Sequence, residues 1–514
     1  MSGLLSYLPF YGARRPLPQT DLSDEVVPVH IFDDTSALRP IVLVWLFRFD
    51  EVLDPDKLND ALSRLFQMDG WRKLGGRFRR RADGKLEIHI PRSFTKERPP
   101  VHFTKEQLSM RMDDHPLAST LPRGNGKVAT FPGPRAYNDL SLGPGVPRSL
   151  DDYINSDLPL FALHVITFTD GTLVNLIHSH MTADLIGLAY VIDAWTLVLA
   201  GKPELVPPFV GFREDGMKCL YESPPEEEYV LSDKQLTGWR LPYFYLRLVL
   251  EAKYFHPLES KVVCVPKDVL EGIMVRCKSD LASKNITDGS GKEPFVSPGD
   301  ALAAIYCRVM SHYKPSSNVL IAMPLDCRTR AKNLFRQDAA YVQNSPTVIF
   351  FYCPADKARE LSLGELALMC REAINTQATE AQMKAFTALA AASLRSTGAS
   401  GLVGDKDMAF KLISNWLKGK FIDRMDFSPA IVKEARTSEP GKRRGHPTYY
   451  HSADAESIDS PLLIPLTAVM EIDHHADLWL SVVLPREVWP MYLELLNSFA
   501  SNSRKAKAAM PPKL

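Results

Sequence analysis

His180-Met181-Thr182-Ala183-Asp184 decides the reading of this chain because of what stands on either side of it. Upstream, Phe161 to Phe168 and Thr172 to Ile177 are two apolar runs joined through Asp170-Gly171, a tight-turn dipeptide. Together they predict a β-hairpin. Downstream, Leu185 to Leu199 is a long apolar run that predicts a buried helix. The histidine is delivered by the end of a core strand, and the aspartate stands at the mouth of a helix. A neutral imidazole fixed there can take a proton from an alcohol or amine near neutral pH.

Spacing alone would not carry that reading. The same spacing recurs in His30-Ile-Phe-Asp-Asp34, ahead of a first strand expected over Pro40 to Phe49. This copy lacks the strand-before, helix-after context and reads as a polar loop entering the fold. It is an internal control for the bare pattern. His178, two residues before His180, would share its face only if the strand ran on unbroken. The strand is expected to end between them, which makes His178 a core or supporting residue.

At 514 residues the chain exceeds what one hydrophobic core organises, so two large domains are expected. Apolar residues make up 45% and charged residues 24%, the balance of an ordinary soluble globular protein. Lys+Arg and Asp+Glu are both 61, so no global charge draws the surface to nucleic acid or anionic membrane. The 7 cysteines form no Cys-x-x-Cys pair and sit mostly in apolar runs, as reduced buried thiols of a cytoplasmic protein do. No disulfide frame or metal site is expected. His474-His475-Ala476-Asp477 has no third ligand group nearby and reads as a strand turn. No apolar stretch is long enough to span a bilayer, and Met1 to Phe10 lacks a basic leader. Pro512-Lys513-Leu514 partly resembles a peroxisomal Ser-Lys-Leu address, but proline replaces the small residue, and a frayed tail is the better reading.

Strands and helices alternate in both halves. Asp54-Pro55 opens a helix carrying Leu58, Leu62, Leu65 and Phe66 on one stripe. A second hairpin turns at Asp83-Gly84, with Arg77 to Arg81 as an edge strand bearing solvated charges. Residues 103–159 dissolve into Gly, Pro, Ser and Asp and read as surface loop. Proline and charge clusters between Pro203 and Glu228 mark an interdomain linker. The division is therefore 1–205, a 206–230 crossover, and 231–514. The second half restarts with a strand over Ser260 to Val265. A helix then starts at Ser297-Pro298-Gly299-Asp300, followed by strands over Asn318 to Met323, Thr347 to Tyr352 and Leu478 to Leu484. The fold class is α/β, with two similar-sized domains.

These landmarks, taken in order, resemble the BAHD acyltransferases, in particular the fungal branch that acylates secondary metabolites. Leu62-Ser-Arg-Leu65 and Leu74-Gly-Gly-Arg77 resemble the family's first helix and strand entry. His180 and Asp184 fall on its His-x-x-x-Asp, and Pro207-Pro-Phe209 on the crossover. Asp326-Cys-Arg328-Thr-Arg330 matches its Asp-x-Arg-x-Arg, and Tyr341-Val-Gln-Asn344 its Tyr-Phe-Gly-Asn. One landmark departs: the late Asp-Phe-Gly-Trp-Gly reads here as Asp426-Phe427-Ser428-Pro429-Ala430.

The resemblance implies a chloramphenicol acetyltransferase-like pair of mixed sheets flanked by helices, with an active-site channel at their interface. It implies a monomer acting on acyl-CoA, most simply acetyl-CoA, and a small hydroxylated acceptor, with no bound cofactor. His180 would be the general base, and Asp184 would pair with Arg328 to hold the loop. Asp426 would bond a basic residue and shape the CoA side of the channel. Lys442, Arg443 and Arg444 are candidates for the CoA phosphates, against a solvated loop. Two alternatives stay open: a free-standing condensation enzyme using a carrier-protein thioester, and a catalytically silent member acting as a binding protein. Condensation domains usually pair two histidines, and Ser179 stands in the first of those places here.

Overall fold

The computed structural model describes residues 21–288, 290–435, 441–456 and 464–509. The N-terminal leader reading and the Pro512–Leu514 address lie outside the described residues. Two mixed sheets organise the chain. A five-stranded sheet runs in the order Tyr449–Asp454, Val42–Phe49, Thr172–Ser179, Phe161–Thr167 and His102–Gln107. A seven-stranded sheet runs Pro346–Cys353, Val319–Asp326, Ala409–Asn415, Leu466–Ile472, Leu478–Pro485, Leu258–Val265 and Ala129–Pro132. Each sheet borrows an edge strand from the other half of the chain. Ala129–Pro132 pairs with Leu258–Val265, and Tyr449–Asp454 pairs with Val42–Phe49. The two sheets interlock across the 206–230 stretch.

The decisive hairpin forms as its turn chemistry predicts. Phe161–Thr167 and Thr172–Ser179 pair antiparallel from Thr167↔Thr172 outward, and every residue of both strands is buried. Helix Pro55–Leu65 starts on the Asp54 cap and packs Leu58, Leu62 and Leu65 inward. Helix Leu185–Leu199 lies against it, and Trp195 Nε1 donates to the Leu58 carbonyl at 2.9 Å. In the second half, Ser297 and Asp300 close a reciprocal capping box on helix Pro298–Tyr313. Along Val319–Asp326 the side chains alternate between two cores. Val319, Ile321 and Met323 pack with one set of helices, and Leu320 and Ala322 face the opposite cluster. Both faces of this sheet are therefore covered.

Two expectations need correction. Residues 103–159 are not plain surface loop. They supply a strand to each sheet and bury Tyr137 and Tyr153 completely. Single aromatic anchors in a Gly/Pro-rich stretch leave no period to read. The arginine run is an edge strand and is solvated only at Arg80 and Arg81. Arg77 is fully buried and donates to the Gly75 and Pro99 carbonyls at 2.5 and 2.8 Å, and Arg79 pairs with Asp157 at 2.5 Å. Their long stems cover apolar surface while the guanidinium groups find internal oxygens.

Candidate active site

The strand carrying His178 ends at Ser179, whose ladder partner is Val42, and the backbone turns at His180. The His180 N–H donates to the Ile41 carbonyl at 2.9 Å, one step past the last ladder pair. Its carbonyl accepts the side-chain amide of Asn344 at 2.9 Å. Both sides of the residue's backbone are fixed, one by each half of the chain. The residue is half-buried. Nδ1 is closed off and has no hydrogen-bond partner among the described residues, so it is not the nitrogen an incoming acceptor would meet. Burial lowers the imidazole pKa below its ordinary value, with Asp184 and Asn344 opposing. The neutral ring is favoured accordingly.

His178 is packed differently. It is fully buried, stacks on Phe161 with ring centroids 5.0 Å apart, and is pushed by burial to a pKa of about 3. It belongs to the core.

Asp184 has both carboxylate oxygens occupied. Oδ1 caps helix Leu185–Leu199 by accepting the Gly187 N–H at 2.8 Å. Oδ2 accepts Arg328 Nη1 at 3.0 Å and the Ser345 N–H at 2.9 Å. Arg328 is buried at the end of strand Val319–Asp326. It also binds Asp326 at 2.6 Å and the Tyr341 carbonyl at 2.8 Å, donates to the Gln343 carbonyl, and lies over the Tyr341 ring. Burial disfavours its charge, but Asp184 and Asp326 outweigh that and raise its pKa. Gly187 permits the close approach of the helix: a Cβ there would stand 1.8 Å from the Val342 carbonyl oxygen. The structure thus brings His180, Asp184 and Arg328 to one seam between the two halves.

Sequence reasoning missed one contributor. Asp33, inside the control copy of the motif, accepts both the backbone and side-chain N–H groups of Asn344 at 2.8 Å. The same Asn344 amide holds the His180 carbonyl. Asp33 is buried, and burial raises its pKa against those two bonds. No local pattern marks a bond across 311 residues.

No family model matches the chain. Acetyltransferase adrJ of Penicillium rubens is 31% identical over 499 residues, spanning 96% of this chain and 99% of the relative. The chain belongs to the fungal BAHD-type acetyltransferases. A second relative of similar closeness, 32% identical over 92% of this chain and 95% of its own length, bears the name transcriptional regulator calD, from Penicillium decumbens. Among solved structures, F. sporotrichioides TRI101 complexed with coenzyme A and T-2 has the same fold. Its TM-score is 0.62 at 15% identity, covering 90% of this chain and 96% of that one.

The departing landmark of this acetyltransferase is also built differently from expectation. Among the described residues, no basic side chain bonds Asp426. Its Oδ1 accepts the Ser428 N–H at 3.0 Å, closing a local turn. Burial works against its charge, yet the Ser428 contacts hold its pKa below the ordinary value, with smaller help from His446 and Arg443. Phe427 anchors the segment in the first core, stacked on Phe49 at 5.5 Å and edge-on to Trp195 at 4.6 Å. With Pro429 fixing φ, the carboxylate is spent on its own loop. Lys442, Arg443 and Arg444 each meet an acid of this chain: Asp50 at 2.8 Å, Asp423 at 2.5 Å and Glu434 at 2.5 Å. To meet phosphates they would have to exchange those contacts. His474 to Asp477 form the turn between Leu466–Ile472 and Leu478–Pro485.

Proposed function

We propose that this acetyltransferase esterifies a hydroxyl of a small secondary metabolite, such as a terpenoid or polyketide, with acetyl-CoA as donor and His180 as general base. The observation that carries the reading is the presentation of His180. Its backbone is locked from both halves of the chain, its Nδ1 is closed off, and burial lowers its pKa, which favours the neutral ring a base needs. Asp184 is fully engaged by Arg328, Ser345 and Gly187.

The chemistry follows from these groups. Nε2 takes the acceptor hydroxyl proton as that oxygen attacks the thioester carbonyl. The tetrahedral adduct collapses with cleavage of the C–S bond, and the imidazolium returns the proton to the departing sulfur, regenerating the base. No covalent enzyme intermediate is needed, because the thioester is already activated. Asp184 acts through position alone.

Incubation of the purified protein with radiolabelled acetyl-CoA and a panel of terpenoid and polyketide alcohols tests the reading. Label in an ester product that disappears in His180→Ala supports it. Transfer only from a carrier-protein thioester would overturn the donor. Absence of transfer together with tight binding of a metabolite would favour the non-catalytic reading that the calD likeness leaves open.

A further inference from the structure

Helix Arg240–Leu250 and its π-helical extension Glu251–Phe255 carry a stripe in the wrong place. Trp239, Tyr243, Leu246, Leu250 and Tyr254 recur at spacings of four, three, four and four, the period of a core-facing helix. Yet all five are exposed, with Trp239 at 63%, and Phe255 beside them reaches 70%. The helix already has an inner face. Phe244 is buried against Phe410, and Arg247 bonds the Lys406 and Met408 carbonyls and Glu251. The outer stripe is therefore a second apolar face, docked on nothing within the described chain. A contiguous exposed patch of this kind marks an interaction surface.

Its chemistry selects the occupant. The exposed apolar residues are mostly Trp, Tyr and Phe, whose amphipathic rings favour a bilayer's headgroup level. Cations border it: Arg240 and Lys253 are exposed near its two ends, and Lys406 lies over the rings of Trp239 and Tyr243 at 6.0 and 5.4 Å. The acid on the helix, Glu251, is turned inward to Arg247 and Lys314. At the rim, Glu487 is held by His256, and Asp407 sits next to Lys406 in sequence. A second copy fits this pattern poorly. Packed antiparallel about a two-fold axis, the helix would set Arg240 against the end bearing Lys253; packed parallel, it would set like against like.

We propose that this face is a membrane-docking surface that lays helix Arg240–Phe255 in the interface of an anionic bilayer, aromatic side down. The protein as a whole carries no net charge, so the attraction is local to this patch.

Flotation of the full-length protein with vesicles tests the assignment, comparing phosphatidylcholine alone with phosphatidylcholine containing one-third phosphatidylserine. The wild type should float with the mixed vesicles, less with phosphatidylcholine, and less again at high salt. Trp239→Ser/Leu246→Ser/Phe255→Ser should lose about tenfold or more of that partition with its melting temperature and turnover unchanged. Arg240→Ser/Lys253→Ser should lose the gain given by phosphatidylserine, about fivefold per cation. Wild type that stays with the unbound fraction in both vesicle types overturns the proposal. So does a concentration-dependent dimer that the triple substitution dissolves, which would give the face to a second copy.

Discussion

Two histidines in this chain are each followed four residues later by an aspartate, and the fold makes opposite use of them. Each ring has its pKa lowered chiefly by burial. At His30 the accessible nitrogen is consumed: Nε2 lies 3.3 Å from the Gly211 carbonyl and 3.4 Å from Lys73 Nζ. At His180 the backbone is restrained instead, by the Ile41 carbonyl and the Asn344 amide, and the buried Nδ1 bonds nothing among the described residues. The aspartates differ as sharply. Asp34 pairs with Arg39, five residues away, at 2.6 Å, whereas Asp184 pairs with Arg328, 144 residues away. A spacing says only that two side chains leave the chain near each other. Their use depends on whether the second residue is tied across the molecule and whether the first is left free.

The largest effect should separate the two histidines directly. His180→Ala is expected to lower kcat by about 10²–10⁴ while melting temperature and acyl-CoA affinity stay near wild type. His30→Ala should keep kcat within a few-fold. Equal losses in steady-state assays of the two variants would break the comparison.

Next comes the long-range pair. Removing one member of a buried ion pair leaves the other uncompensated, at about 3–5 kcal/mol when burial is complete. Arg328→Met should sit at the upper end, since it orphans Asp184, Asp326 and two carbonyls, and Asp184→Asn lower, since an amide can still cap the helix. In denaturant titrations the double variant should cost less than the sum. Strict additivity would mean the two do not act as a pair.

Smaller still, and sharper, is the contrast inside the control loop. Asp33→Ala removes the acceptor that holds Asn344, and through it the His180 carbonyl. About a tenfold fall in kcat with little change in KM is expected, below the roughly 10²–10⁴ for losing the base itself. Asp34→Asn breaks a partly exposed local pair worth about 0–1 kcal/mol and should leave kinetics untouched. A reversed order would show that the four-residue spacing matters in the control after all.

What was legible follows the same division. The hairpin, its turn at Asp170-Gly171 and the helix after Asp184 were readable because period and turn chemistry are local. Arg328 was reached only through the ordered landmarks, and its carbonyl partners at Tyr341 and Gln343 carry no side-chain signal. Asp33 was hidden because nothing in His30-Ile-Phe-Asp-Asp34 tells which carboxylate turns inward. Asp426 was misread because its letters survive while the neighbours that set its direction changed to Ser428 and Pro429. The exchanged strands Ala129–Pro132 and Tyr449–Asp454 are too short, and too far from their sheets in sequence, for any period to assign. Periodicity also fails in reverse at Trp239 to Tyr254, where a core-like stripe faces out.

The mildest prediction concerns acid. A base works only while unprotonated, so kcat/KM should fall as pH drops through the His180 pKa. Burial lowers that pKa, so the midpoint should lie below 6.5, the ordinary imidazole value. The fold has an acid limb of its own. His178 and His451 are each pushed to about 3 by burial, while in the unfolded chain they would titrate near 6.5. Between those values the unfolded state binds the extra protons, so stability rises with pH and is lost as pH falls below 6.5. Both effects point the same way and must be told apart by reversibility. Initial rates measured seconds after a drop in pH, and again after return to pH 7, report titration of His180 when the loss is fully recovered and the melting temperature at the lower pH remains far above the assay temperature. His30→Ala should show the same midpoint, because its ring does not face the reaction. A shift of the rate profile by His30→Ala, with none by Asp33→Ala, would mean that the coupling between the two loops does not run through Asn344.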